Sequence, residues 1–359
     1  MSPLLEASRL GQSIWLDNLS RTLLREGELQ RLIDEDGISG VTSNPSIFQK
    51  AFAESPYYAE DLARLKSGNL DAEQRYETLV IPDVQAACDL LRPVYDKTNG
   101  DDGYVSLEVS PKLAHDEAGT VAAALRLATG VSRDNLLIKV PATPAGIKAC
   151  ERIVAQGVSV NITLMFSLHH QVEVAQAYIR GLHQWVNDGG DPRKVKAVAS
   201  IFLSRVDTLV DKQLEAIGTP QALALRGKSA VAMCKTAYQR YKELFHGPAF
   251  AELAKVGCRP QYPLWASTGT KNPAYSDVLY VEPLIGPESI NTVPDATIAM
   301  FRDHGKAALT LEQEVEEARA QLLTLVEVGI DMHAVGEQLQ TEGVKLFDEA
   351  FAKLLAQVA

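Results

Sequence analysis

Lys139 is a lone cation inside the apolar run Leu136-Leu137-Ile138-Lys139-Val140-Pro141. A short apolar run closed by proline reads as a buried parallel strand. Taking an ammonium out of water is costly, so lysine is rarely placed there without a partner. The same desolvation favours the neutral amine, the nucleophilic form, and a buried strand lysine is what a Schiff-base enzyme needs. A plainer reading has the ammonium snorkelling to the strand end or pairing with a carboxylate. Other residues at the ends of similar runs favour chemistry. They are Asp17-Asn18, Thr42-Ser43-Asn44, Glu108, Asn161 with Thr163, Ser200 with Arg205, and the loop Ser267-Thr268-Gly269-Thr270-Lys271. An amine that forms a carbinolamine and then an iminium needs a group to carry protons to and from the carbonyl oxygen. Asp17 and Glu108 can divide that work. One activates the substrate hydroxyl whose deprotonation breaks a C–C bond, and the other acts directly or through a water. A small-residue loop ending in a cation, with Arg205 opposite, can clamp a phosphate.

These residues must be held together by their elements. Strand patterns fall at 13–16, 38–42, 104–109, 136–140, 158–163, 196–202, 262–266 and 277–281, the last ending at Glu282-Pro283. Helical periodicity fills the gaps, at 84–95, 120–129, 169–186, 204–217 and 227–245. Strands alternating with helices indicate a parallel sheet, and eight such units predict an α/β fold, a closed (β/α)8 TIM barrel. An open doubly wound sheet is the alternative, but no GxGxxG follows the early strands. In a barrel, polar residues at carboxyl strand ends meet at one mouth. Extra helices are expected after the second strand, between Pro45 and Asp102, and at the C-terminus from about Ala307. There, Val344, Phe347, Phe351 and Leu354 make an amphipathic stripe that must dock on something. No linker divides the chain, so 1–359 reads as one domain.

Composition narrows the partners. The 359 residues are 46% hydrophobic and 23% charged, ordinary for a globular protein with a sizeable core. A net charge of −11 argues against nucleic acid or an anionic membrane. Cys88, Cys150, Cys234 and Cys258 lie far apart without metal-ligand spacing and read as reduced thiols. With no signal peptide and no long apolar span, a cytoplasmic protein is expected. His169-His170 reads as structural. No metal or other cofactor is expected, although two carboxylates with asparagines leave Mg²⁺ as a lesser alternative.

Several motifs together resemble the transaldolase family: Trp15-Leu16-Asp17-Asn18, Val41-Thr42-Ser43-Asn44-Pro45-Ser46, Leu107-Glu108-Val109, Leu137-Ile138-Lys139-Val140-Pro141, Val160-Asn161-Ile162-Thr163-Leu164-Met165-Phe166-Ser167 and Ser200-Ile201-Phe202-Leu203-Ser204-Arg205. They come in the family's order, from the first strand to the sixth, and with the rest of the chain the resemblance covers most of it. It implies a cofactor-free class I aldolase on a (β/α)8 barrel. Such an enzyme moves a dihydroxyacetone unit between phosphorylated sugars in the non-oxidative pentose phosphate pathway. It also implies that Lys139 forms the Schiff base and that Asp17 takes the C4 hydroxyl proton. Glu108, with a water held by Thr163, would handle proton traffic at the carbinolamine. Asn44, Asn161 and Ser200 would hold hydroxyls, Thr42 would support the pocket and Phe202 would wall it. Arg205, Ser267 and Lys271 would bind phosphate. Monomer or homodimer is expected.

Two departures from the family's commoner pattern point to a separate bacterial subfamily. The loop Ala266-Ser267-Thr268-Gly269-Thr270-Lys271-Asn272 carries lysine where the commoner, shorter form carries arginine, and lysine meets phosphate as a point charge rather than a fork. The segment between Pro45 and Asp102 is longer than in compact relatives. Rival readings are an aldolase that releases free dihydroxyacetone and a silent sugar-phosphate-binding barrel. The second would be expected to lack Lys139 or a carboxylate.

Overall fold

The computed structural model describes residues 2–359. Eight parallel strands close into a barrel in sequential order, the (β/α)8 fold that the alternating pattern predicts. They are β1 Gln12–Leu16, β2 Gly40–Thr42, β3 Val105–Glu108, β4 Leu136–Pro141, β5 Val160–Met165, β6 Ala197–Phe202, β7 Tyr262–Ala266 and β8 Ser289–Val293. Every residue of β4, β5 and β6 is buried, as expected of strands covered by side chains inside and helices outside. Closure joins β8 to β1 in the register Gln12↔Ser289 to Leu16↔Val293.

The eighth strand corrects the sequence expectation. Residues 277–281 are turns, with Leu279 N–H donating to Ser276 and Val281 N–H to Val278, followed by a 3₁₀ turn at Glu282–Leu284. Val278, Tyr280 and Val281 are buried all the same. The segment packs against the outside of the barrel: Asn291 Nδ2 of β8 donates to the Tyr280 carbonyl, and the Tyr280 hydroxyl donates to Asp207. An apolar run of this length signals burial without specifying a strand. Glu282, expected at the mouth, instead accepts a hydrogen bond from Lys306 N–H.

The long insertion after β2 forms the helices Pro45–Glu54, Ala59–Lys66 and Ala72–Lys97. The last begins earlier than its apolar stripe suggests. Asp71 and Gln74 form a reciprocal capping box at its start, and the helix then runs through Pro82 and Pro93. Helices Glu117–Val131, Pro144–Val154, Leu168–Asn187, Ser204–Ile217 and Ser229–Phe245 follow β3 to β6. Gly40 is obligatory for packing: a Cβ there would come within 2.5 Å of the Trp15 indole.

The C-terminal helix, Met332–Val358, crosses the carboxyl end of the barrel. Phe347, Phe351 and Leu354 are buried along the expected stripe, and each contributes roughly 1.5–3 kcal/mol by apolar burial. Its small and amide residues fit a distortion in β5, where Leu164 adopts φ +58° and the pairing with β6 slips. Gln340 donates to the carbonyl of Leu164, inside that distortion, and to that of Ala142, just past the end of β4. Buried His170 accepts from Phe166 N–H at Nδ1, so its Nε2 proton faces Glu337 on the same helix at 2.8 Å. That is a structural role for His170, while His169 beside it is exposed. Among the described residues, no helix is long and apolar enough to cross a membrane. All four cysteines are buried and unpaired.

Candidate active site

Glu108, Lys139 and Asn161 occupy one level of three adjacent strands, paired Glu108↔Lys139 and Lys139↔Asn161. Directly paired residues of parallel neighbours point to the same side, here inward. Lys139 is 4% exposed. Its Nζ donates to the Ser43 carbonyl at 3.2 Å and lies 3.6 Å from Glu108 Oε2, an ion-pair distance too long for a hydrogen bond. The Phe347 ring stands 5.7 Å away. The amine is therefore held on one side and loosely paired on another, and it opens onto a cavity of about 170 Å³.

Asp17, Thr42, Asn44, Thr163, Ser200, Phe202, Arg205, Ser267 and Lys271 line the same cavity, contributed by the exits of β1, β2, β5, β6 and β7. Thr42 donates to Asp17 Oδ1 at 2.7 Å and exchanges a hydrogen bond with Thr292. Burial raises the Asp17 carboxyl above its ordinary value, while Lys139 and the Thr42 hydroxyl pull the other way. Burial lifts Glu108 further, to about 7, against the attraction of Lys139 and with help from Asp17. A carboxyl poised there can give and take a proton near neutrality.

Asn44 caps the helix Pro45–Glu54, accepting from Ile47 N–H at Oδ1, which leaves its amide for the cavity. Thr163 Oγ1 is buried without a hydrogen-bond partner among the described residues. Arg205 packs against the rings of Phe202 and Phe347 with its Nη1 likewise unpartnered, and burial lowers its pKa. Ser267 adopts φ +57° and shares a hydrogen bond with Ser204, fixing the loop that carries exposed Lys271. An unpartnered guanidinium nitrogen and an exposed ammonium beside one cavity have the chemistry to hold an anion.

Two expected site residues stand off the cavity wall. Asn161 lies beneath it, donating to Ser106 and accepting from the Ser200 hydroxyl at 2.7 Å, so it orients Ser200. Glu108 reaches the amine from the side. Conversely, Thr292, Pro294 and Phe347 line the cavity without having been expected there, while Thr268 lines it as part of the expected loop. Thr292 was hidden by the misplaced eighth strand, although Ser289-Ile290-Asn291-Thr292-Val293-Pro294 ends in proline just as β4 does. Phe347 comes from the docked C-terminal helix, whose apolar stripe shows which face is buried but not what it faces. Among the described residues, no group of three or more His, Cys, Asp or Glu side chains is placed to hold a metal ion.

A parallel barrel with a strand lysine beside two carboxylates at its mouth has the layout that a Schiff-base aldolase requires. The comparison with known proteins specifies the family. The model for transaldolase/fructose-6-phosphate aldolase matches residues 14–358. A transaldolase of Thiobacillus denitrificans is 58% identical over 353 residues, 98% of each chain. One of Neisseria gonorrhoeae is 49% identical over 356 residues, 99% of each. "Transaldolase 2" of a Nostoc species is 42% identical over 98% of this chain and 95% of its own. The chain belongs to the transaldolase/fructose-6-phosphate aldolase family, and is an enzyme of it.

Proposed function

We propose that this enzyme is a transferase that moves a dihydroxyacetone unit from sedoheptulose 7-phosphate or fructose 6-phosphate to glyceraldehyde 3-phosphate or erythrose 4-phosphate. That reaction belongs to the non-oxidative pentose phosphate pathway. The observation that carries this reading is the position of Lys139 Nζ, 3.6 Å from Glu108 and opening onto a cavity with Asp17 on its wall and Arg205 and Lys271 at its edge. Lys139 attacks the ketose carbonyl, and Glu108 carries protons during carbinolamine formation and dehydration, with Thr163 holding a water. Asp17 takes the C4 hydroxyl proton as the C3–C4 bond breaks, leaving the three-carbon unit on the lysine. Addition of the acceptor aldehyde reverses these steps.

Asn44 and Ser200, the latter set by Asn161, hold the hydroxyls of the three-carbon unit. Thr42 orients Asp17 through its 2.7 Å hydrogen bond, and Phe202 walls the site. Arg205, Ser267 and Lys271 take the phosphate. The chain acts as one domain, its C-terminal helix covering the mouth and keeping water from the intermediate. We place the enzyme in the cytoplasm, as a monomer or homodimer.

A second reading, a fructose 6-phosphate aldolase that releases free dihydroxyacetone, is the other activity that the family's joint description names. Incubation with fructose 6-phosphate, with and without erythrose 4-phosphate, separates the two. Transfer predicts sedoheptulose 7-phosphate only when the acceptor is present and little free dihydroxyacetone without it. Steady release of dihydroxyacetone at the same rate with or without acceptor would contradict it.

A further inference from the structure

Glu108 stands off the wall of the first cavity, 3.6 Å from Lys139, and borders another. This second cavity, of about 30 Å³, is enclosed by β3 and the helices Ala72–Lys97, Glu117–Val131 and Met332–Val358. The ion pair Glu77–Arg126 lies on its lining, with Arg126 mostly exposed, so this pair stands between the cavity and solvent.

The lining asks for water. Glu108 Oε2 and Ser110 Oγ are both buried without a hydrogen-bond partner among the described residues, and both residues border this space. Tyr76 borders it too. Burial, together with the carboxylates of Glu108, Glu77 and Glu73, raises the Tyr76 pKa, so its hydroxyl keeps its proton and remains a donor. A polar cavity of this size holds about one water when two to four polar partners surround it. Glu108, Ser110 and Tyr76 supply three.

Resting on the Schiff-base reading above, we propose that this cavity is a rear water port for the reaction. Lys139 ammonium and the ketose carbonyl combine to give the protonated iminium and one water, with no net proton gained or lost. The N–C bond forms as Glu108 takes one ammonium proton. A second ammonium proton reaches the former carbonyl oxygen to give the carbinolamine hydroxyl. Glu108 returns its proton to that hydroxyl, the C–O bond breaks, and water departs. While the sugar phosphate fills the front cavity, that water leaves past Glu108 into the rear one. The water that hydrolyses the product iminium returns by the same way.

Ala123, buried on the helix Glu117–Val131, borders the rear cavity and not the front one, so Ala123→Leu fills the port alone. Rapid-quench borohydride trapping with fructose 6-phosphate then gives the rate of Schiff-base formation on Lys139. We expect it to fall roughly tenfold in A123L and severalfold in Ser110→Ala, with cleavage from the preformed iminium unchanged. A merely structural disturbance would slow cleavage as well. Should A123L fail to fold, S110A decides alone. No trapped adduct in the wild type would overturn both the functional reading and this proposal. Normal trapping in the wild type with an unchanged rate in the folded variants would overturn the water port and leave the functional reading standing.

Discussion

Two of the buried lysines stand at opposite ends of the barrel strands, and they differ in how the ammonium is held. Lys196, immediately before β6, is 0% exposed, and Lys139, near the end of β4, is 4% exposed. The Lys196 ammonium lies 2.7 Å from Asp101 and 3.5 Å above the Tyr262 ring, while Tyr262 donates to the same carboxylate. Burial lowers the Lys196 pKa even so. Lys139 has a single hydrogen bond to a backbone carbonyl and a carboxylate at 3.6 Å, and it opens onto a cavity. Desolvation alone therefore does not make a lysine reactive. A strand's first residues point their chemistry into the closed floor of the barrel, and its last residues into the mouth.

The sharpest way to break this contrast is to keep the charge and remove the nucleophile. Lys139→Arg is expected to abolish transfer, by more than roughly 10³-fold, with the circular dichroism spectrum retained. Normal turnover in that variant would place the chemistry elsewhere. Asp17→Ala should leave Schiff-base formation intact and slow C–C cleavage by roughly 10²- to 10⁴-fold, read as glyceraldehyde 3-phosphate released from fructose 6-phosphate. Rapid release would refute the part given to Asp17.

The pH dependence sharpens the role of Glu108. Its carboxyl sits at about 7 rather than the ordinary 4.5. Glu108 must start ionised to take the first ammonium proton, and that form is lost as pH falls through 7, so Schiff-base formation should fall by about tenfold per pH unit below that point. Glu108→Gln should be slower and lack that limb, and an identical limb in E108Q would assign it to another group. The same raised value gives folding stability that is fully present below 4.5 and lost as pH rises through about 7.

The smallest effect on catalysis is expected at the other lysine. Lys196→Met should leave turnover per folded enzyme unchanged and lower stability by about 1–3 kcal/mol, softened because Asp101 is partly exposed. Urea denaturation and a turnover assay on the folded fraction check both halves. A turnover loss in K196M matching that of K139R would erase the distinction between the two ends.

The contrast also separates what the sequence discloses from what it conceals. β4 was legible because an apolar run ending in proline is a local signal, and Lys139 interrupts it. Glu108 and Asp17 were legible as polar ends of such runs. The eighth strand was not: residues 277–281 carry the apolar character of a strand but are spent on turns, whereas β8 is half polar, with Asn291 and Thr292 inside it. Thr292 went unseen with it. Phe347 shows a different limit, since helical periodicity identifies an apolar face, while the cavity it lines is built by residues as distant in sequence as Asp17 and Thr42. The rear cavity had no signal at all, because it arises where four elements meet.

The measurement that most directly tests the account is borohydride trapping with fructose 6-phosphate, followed by peptide mapping of Lys139 and Lys196. The account predicts a reduced three-carbon adduct on Lys139 and none on Lys196. No adduct on the folded protein, or one carried by Lys196, would contradict it.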